Sequence, residues 1–337
     1  MTVALPATLT HATFADPVKV SGFAGAAPVA ADLSACFAEF LRRVIPTSRA
    51  YGFARGTGAQ VAADLRAELY RNAPIDVAET DHIVVGSVGK RTAISPLATV
   101  DVLYAMPPKL GITKAGDALK TAWAVLKARN EDARIADDHT GVLVARNGLM
   151  VKVLPCLPHD GAFRVPGLAT LERAAGWSVT NPIAEAATLR LMDSLYGSRP
   201  RLMLAALKSW RIHSEVPIGS FALELLVQDF YASKPRPFPL APALVEFWTW
   251  ARTRTPATIK PPGASTLLEI GEAWHGKAKG AYWRVTLADY HVQQNKIVDA
   301  ALEWRQTLGP LFPIPGDRSL ALPLFPERRK RPRKRAS

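Results

Sequence analysis

Apolar residues in the first half of the chain recur at two spacings, one typical of helices and one typical of strands. Helical spacing predicts three helices, over residues 32–44, 48–71 and 114–129. Short apolar runs bounded by turn residues predict four strands, over residues 83–85, 100–106, 141–145 and 149–154. Arg146-Asn147-Gly148 is a turn sequence, so the last two strands are predicted to form a hairpin.

Much of the second half of the chain has helical spacing. Helices are predicted over residues 181–196, 199–214, 219–231, 243–253 and 297–308, and a proline-rich connector over residues 234–242. Helices, then a small mixed sheet, then a helical half indicate an α+β fold and not alternating βαβ units. We predict a loop-like segment over residues 1–30, a mixed lobe over 31–175, a helical lobe over 176–315 and a disordered basic tail over 316–337.

Composition and charge narrow the class of protein. The 337 residues are 48% hydrophobic, which is enough for a large core, and the two cysteines exclude a disulfide framework. We see neither a signal peptide nor a membrane-spanning run, so we expect a cytoplasmic protein with no membrane partner. The net charge of +13 favours nucleotides, nucleic acid or an acidic protein as partners. Seven basic residues lie within 327–335; they form either a solubilising end or a contact for nucleic acid.

One segment combines several features of a phosphoryl-transfer site. The predicted strand 83–85 runs into Gly86-Ser87, and a loop then leads to a strand that carries Asp101. Glycine lets a backbone approach a triphosphate, and the serine hydroxyl can hold phosphate oxygens. Strand carboxylates on a shared face can hold two Mg²⁺ ions for in-line transfer. The segment resembles the polymerase-β-like nucleotidyltransferases, whose Gly-Ser is followed by Asp-x-Asp.

Four further segments resemble the cGAS/DncV-like enzymes, the SMODS type associated with CBASS. They are, in chain order, Val151-Lys152-Val153-Leu154-Pro155, Asn181-Pro182, Leu207-Lys208-Ser209-Trp210 and Ser220-Phe221-Ala222-Leu223-Glu224. The resemblance covers about residues 30–310. It implies a nucleotide cleft between two lobes, synthesis of cyclic oligonucleotides from ATP and other nucleoside triphosphates, and anti-phage signalling.

Candidate nucleotide-binding residues come from these motifs. Basic and hydroxyl side chains around the Gly-Ser segment can bind phosphate without a metal. In the helical half, the resemblance implies a phosphate contact for Lys208, and Ser220 either contacts phosphate or caps a helix. The set is Gly86, Ser87, Lys90, Arg91, Lys208 and Ser220. Expected ligands are ATP, GTP or a cyclic nucleotide.

The sequence departs from the family at two of the three metal-binding carboxylates. Asp-x-Asp becomes Thr99-Val100-Asp101, and Lys152 occupies the place of the third aspartate. Asp101 is therefore the remnant of the triad, and we predict that Lys152 pairs with it and replaces the metal. Asp137 and Asp138, before the hairpin, could reach inward to this site, but we expect them in a solvated turn.

These substitutions predict a pseudoenzyme that binds a nucleotide or a protein partner, without a metal cofactor. Two alternatives stay open. The first is an active nucleotidyltransferase with atypical ligation of Mg²⁺. The second is a nucleic-acid-binding or scaffold protein that acts through its basic tail.

Overall fold

The computed structural model describes residues 28–70, 81–167, 176–233, 239–254, 258–264 and 267–316 of the chain. The predicted tail beyond residue 316, and nearly all of the predicted N-terminal segment, lie outside the described residues. The helices are α1 (Pro28–Val44), α2 (Ser48–Leu69), the short α3 (Gly86–Gly89), α4 (Ala115–Lys127), α5 (Pro182–Tyr196), α6 (Arg199–His213), α7 (Ser220–Ala232), α8 (Leu240–Ala251), α9 (His275–Gln293) and α10 (Ile297–Leu308). The strands are β1 (His82–Val85), β2 (Thr99–Ala105), β3 (Arg134–Ile135), β4 (Val142–Arg146), β5 (Leu149–His159), β6 (Ala162–Pro166), β7 (Trp177–Thr180), β8 (Thr258–Ile259) and β9 (Leu268–Glu269).

The predicted α+β fold is confirmed by a mixed sheet of seven strands. Its order is β1-β2-β5-β4-β3, and β6 and β7 continue from the far end of β5. The pair β2–β5 is parallel, and the other pairs of this sheet are antiparallel. Strands β8 and β9 form a separate small pair.

Alternating valines attach the sheet to its helices. Val100, Val102, Val151 and Val153 are fully buried in one core with residues of α2 and α4. Because side chains alternate along a strand, the residues between these valines lie on the opposite face of the sheet. Helix α2 lies close to this core, since a Cβ atom on Gly58 would be 2.9 Å from Val102 Cγ2.

The helical half has a core of its own, which includes the first helix. Phe37 and Phe40 of α1 are buried with residues of α6, α7, α8, α9 and α10. Helix α1 thus packs with the helical half, although the predicted boundaries assign it to the mixed lobe. The other predicted boundaries, at residues 175 and 315, stay predictions. Within the described ranges, no helix combines the length and the apolar character needed to cross a membrane.

Several features of the fold differ from the sequence prediction. Strand β5 continues beyond residue 154 through Pro155, which is tolerated because the pairing with β4 already ends at Val153. Strands β6 and β7 were not predicted, and neither was helix α9. Helix α8 begins at Leu240, inside the segment predicted as a connector.

Candidate functional site

Gly86 lies directly against Asp101. Strand β1 ends at Val85, which is opposite Asp101 in the antiparallel pair β1–β2. Gly86 follows with φ +60°, a conformation that glycine adopts without steric cost. A Cβ atom here would clash with Asp101 Oδ2 and lie 3.1 Å from its Cγ. Both the turn and the neighbouring carboxylate therefore require glycine at this position.

Thr99, Asp101 and Lys152 share one face of the sheet. Asp101 is opposite Lys152 in the parallel pair β2–β5, and Thr99 is opposite Met150. Residues two apart on a strand, and residues opposite each other on neighbouring strands, lie on the same side. The structure thus brings together the three positions that the sequence resemblance predicted as the places of metal-binding carboxylates.

The ammonium of Lys152 hydrogen-bonds to Asp138, and the predicted ion pair with Asp101 is not formed. Lys152 Nζ donates to Asp138 Oδ2 at 2.7 Å. Asp138 lies in the turn before β4, as expected, and also accepts from the amide and hydroxyl of Thr140, at 3.1 and 2.8 Å. The pairing was predicted wrongly because the spacing of residues along the chain does not reveal how far a turn carboxylate reaches. Burial alone would raise the pKa of Asp138, but the hydrogen bonds from Lys152 and Thr140 lower it.

The pKa of Asp101 is shifted in the opposite direction from that of Asp138. Burial raises the pKa of its carboxyl above the usual range; the charges of Lys152 and Lys90 act in the opposite direction, and that of Asp138 adds to the rise. Metal ligands bind in their deprotonated form, so a carboxyl with a raised pKa binds a cation less readily.

Lys90 belongs to a buried ion-pair cluster between the sheet half and the helical half. Its Nζ lies 2.6 Å from Glu224 Oε1 and 2.8 Å from Glu185 Oε2, on α7 and α5. Although burial disfavours the ammonium, the charges of Glu224 and Glu185 raise the pKa of Lys90. These contacts differ from the predicted phosphate contact, and we leave Lys90 out of the proposed site. Arg91 has φ +55° and its guanidinium lies 5.7 Å from the Tyr51 ring centre; its predicted role stays a prediction.

Lys208 is buried beside the same loop. Its Nζ donates to the carbonyl oxygen of Thr92 at 2.6 Å and to the Thr92 hydroxyl at 3.2 Å. Burial lowers the pKa of Lys208 to about 8; Glu224 opposes this shift, and Lys90 and Arg211 add to it. The ammonium is therefore close to its titration point under mildly alkaline conditions.

A cavity brings together four of the predicted residues, namely Ser87, Thr99, Lys208 and Ser220. Its remaining walls are formed by one further cation and by apolar or small side chains: Arg211, Ala93, Ile94, Pro96, Leu97, Ala98 and Ile212. The lining combines two cations with three hydroxyl groups, and the lining residues in the described ranges include no acidic side chain. The cavity can therefore hold an anionic group beside an apolar one.

Arg211 and Ile212 were missed by the sequence prediction. They directly follow the Leu207–Trp210 motif, and Arg211 is one turn of helix after Lys208. This helical spacing was a usable signal for Arg211, because residues three apart are neighbours on a helix surface. Ile212 is apolar, and nothing in its spacing distinguishes a wall residue from a core residue.

A protein-family model matches the part of the chain that contains the mixed sheet. Residues 33–191 match the model of the Second Messenger Oligonucleotide or Dinucleotide Synthetase domain, SMODS. The chain contains a SMODS domain. This domain begins in α1, includes Gly86, Asp101 and Lys152, and ends in α5. The resemblance seen in the sequence motifs is thereby confirmed.

Solved structures of similar fold extend the comparison beyond the SMODS domain. CdnC of E. coli MS115-1, in complex with HORMA-deltaN, is 17% identical with a TM-score of 0.64, over 84% of this chain and 98% of that chain. CdnG of Bradyrhizobium diazoefficiens, in complex with GTP, is 12% identical with a TM-score of 0.60, over 84% and 96%. DncV of E. coli, in its 3'-deoxy GTP bound form, is 15% identical with a TM-score of 0.56, over 84% and 90%. At these identities the likeness establishes the fold. No curated protein sequence gives a significant match.

Proposed function

We propose that this chain is a catalytically degenerate SMODS-type nucleotidyltransferase that binds a nucleotide without metal and acts in anti-phage nucleotide signalling. The observation that carries the proposal is the position of Lys152, directly opposite Asp101 on the shared face of β2 and β5. A cation lies where the resembled enzymes have the third metal-binding carboxylate.

The donor set at this face does not fit a pair of Mg²⁺ ions. Mg²⁺ prefers carboxylate and other oxygen ligands in near-octahedral geometry. Thr99 supplies a neutral hydroxyl, Asp101 is a single carboxylate, and Lys152 supplies a positive charge. Two like unit charges about 4 Å apart repel by about 4 kcal/mol at an effective dielectric constant of about 20, so the ammonium opposes a divalent cation, although its ion pair with Asp138 offsets part of this repulsion.

The cavity beside this face supports binding of a phosphate-bearing ligand. Lys208 and Arg211 provide positive charge, and Ser87, Thr99 and Ser220 provide hydroxyl groups. Charged donors of this kind bind phosphate oxygens directly, without a bridging metal. The apolar wall formed by Ile94, Leu97 and Ile212 suits a nucleobase. Nucleotides such as ATP, GTP or a cyclic nucleotide combine a phosphate group for the cations with a base for the apolar wall.

A protein partner is also part of the proposal. CdnC, a structure of similar fold, was solved in complex with HORMA-deltaN. A degenerate member of such a family would act by binding, so that the nucleotide-bound chain is recognised by a second protein.

A double variant tests the metal argument. Thr99→Asp with Lys152→Asp restores three carboxylates on the shared face, and we expect it to bind ATP more tightly when Mg²⁺ is added. The unchanged chain should bind ATP equally well with and without Mg²⁺. Isothermal titration of ATP, GTP and cyclic dinucleotides measures both. The matched control, Thr99→Asn with Lys152→Asn, removes the ammonium without adding a carboxylate and should gain no Mg²⁺ dependence. A double aspartate variant that ignores Mg²⁺ contradicts the proposal.

The alternative of an active enzyme is tested by a search for product. The chain is incubated with all four radiolabelled nucleoside triphosphates and with Mg²⁺ or Mn²⁺, and products are separated by thin-layer chromatography. We expect none. A product that disappears in the Asp101→Ala variant would replace the proposed function by catalysis with atypical metal ligation.

A further inference from the structure

A series of hydrogen bonds and ion pairs links the Lys90 ion-pair cluster to the cavity. Glu224 on α7 is the central member, because Oε1 lies 2.6 Å from Lys90 Nζ and Oε2 accepts from the Thr92 hydroxyl at 3.3 Å. The same Thr92 hydroxyl accepts from Lys208 Nζ at 3.2 Å, and Lys208 lines the cavity. Glu185 lies at the end of this series away from the cavity, where its Oε2 is 2.8 Å from Lys90 Nζ.

The hydrogen bonds in this series have a defined direction, from Lys208 to Thr92 and from Thr92 to Glu224. A threonine hydroxyl has one proton to donate, and Thr92 donates it to Glu224. Its oxygen is then free to accept from Lys208, whose ammonium has three protons. Two of those protons face the hydroxyl and the carbonyl oxygen of Thr92. Among the described residues, the third proton has no acceptor in the hydrogen bonds of Lys208.

We propose that Thr92 and Glu224 are positioning residues, which hold the Lys208 ammonium at the cavity for a phosphate group of the ligand. This inference rests on the proposed function, since it assigns the cavity a phosphate-bearing ligand. Neither Thr92 nor Glu224 lines the cavity. Both residues therefore act through Lys208 and do not contact the ligand.

Charge supports the assignment to Glu224 in particular. The charged groups that act on Lys208 are Glu224 on α7, Lys90 in the loop after α3, and Arg211 on its own helix. Glu224 is the one member of this set that favours the ammonium, while burial and the two cations disfavour it. Glu185 contacts Lys90 but is not among the groups that act on Lys208, although it is a buried carboxylate like Glu224. Glu185 is therefore a matched control.

The test measures the titration of Lys208 in the free protein by NMR of ¹³Cε-labelled lysine. The Lys208 resonance is assigned by its absence in Lys208→Arg. We expect Glu224→Gln to lower the titration midpoint of Lys208 by about 1 pH unit or more, because it removes a nearby opposite charge. Glu185→Gln should leave the midpoint in place even if it destabilises the fold. An unshifted midpoint in a folded Glu224→Gln variant overturns the inference.

Substitutions at Thr92 provide a second measurement that does not depend on Glu224→Gln folding. Thr92→Val removes the hydroxyl and should lower the Lys208 midpoint, while Thr92→Ser keeps the hydroxyl and should restore it. Binding of inorganic tripolyphosphate, measured by calorimetry at pH 7, should weaken about tenfold in Thr92→Val and remain unchanged in Thr92→Ser. Equal binding by the two variants overturns the positioning role. Failure of the unchanged chain to bind tripolyphosphate, ATP or a cyclic dinucleotide overturns the proposed function as well, whereas the Lys208 midpoints would still report whether Glu224 and Thr92 control the ammonium.

Discussion

At the scale of single residues, Gly86 controls the position of the Asp101 carboxylate. Gly86→Ala adds a Cβ atom that clashes with Asp101 Oδ2 at a residue with φ +60°. Gly111→Ala is the matched control, because Gly111 has φ +58° but no atom within 4 Å of the added Cβ. Gly111→Ala should cost about 1 kcal/mol of unfolding free energy from backbone strain. Gly86→Ala should cost clearly more, measured by urea unfolding, and equal losses would contradict the contact.

Lys208 gives ligand binding a specific dependence on pH. Its pKa is lowered to about 8, so the ammonium is charged below that pH and neutral above it. A bound phosphate favours the charged form, and affinity for ATP should therefore fall as pH rises from 7 to 9. Lys208→Arg should remove this fall, because arginine stays protonated. Calorimetric titrations at three pH values measure the effect. An equally steep fall in Lys208→Arg would show that another group is responsible.

At the scale of structural elements, the loop after α3 is attached to the helical half through Lys90. The Lys90 side chain is 5% exposed and its partners Glu185 and Glu224 are 10% and 3% exposed. Lys90→Met leaves two buried carboxylates without their cation, which should cost about 3–5 kcal/mol of unfolding free energy. Lys120→Met, on the exposed side of α4, should change stability by less than about 0.5 kcal/mol. Urea unfolding of both variants is the measurement, and similar losses would contradict a structural role for the ion pairs.

Element prediction from the sequence succeeded where apolar residues kept to one face. Helix α10 was predicted at its observed bounds, and α2 begins at Ser48, as predicted. Helix α9 was missed because it is apolar on two sides. Ala278, Ala281, Val285 and Ala288 are buried on one side, while Trp283, Leu287 and Tyr290 are 67%, 43% and 54% exposed on the other. Such a helix has no single apolar stripe for periodicity to detect.

The shared face of the site followed from strand alternation, but the partners of its side chains did not. Thr99 and Asp101 share a face because they are two residues apart on β2, and the register of β2 with β5 places Lys152 opposite Asp101. The partner of Lys152 depends on a turn, and those of Lys90 depend on how α5 and α7 pack against a loop. Contacts between elements far apart in sequence are set by tertiary packing, which local patterns do not encode.

At the scale of the whole molecule, residues 327–335 carry seven of the basic residues behind the net charge of +13, and they lie beyond the described residues, whereas the cavity is lined by the two cations Lys208 and Arg211. The cavity lies entirely within the described ranges. A chain that lacks residues 327–337 should therefore bind ATP as tightly as the full chain. Any binding of duplex DNA or RNA by the full chain should weaken steeply with salt and lose most of that dependence on truncation. Calorimetry and filter binding measure the two effects, and loss of ATP binding on truncation would contradict the proposed site.

The valines beneath the sheet have a consequence for protein engineering. A shift of β5 by one residue would bury Lys152 and expose Val151 and Val153, so apolar packing keeps Lys152 on the same face of the sheet as Asp101. The positions of β2 and β5 in the sheet thus do not depend on which side chains lie on the face that carries Thr99, Asp101 and Lys152. Side chains at positions 99 and 152 can therefore be replaced without changes to the core of the protein.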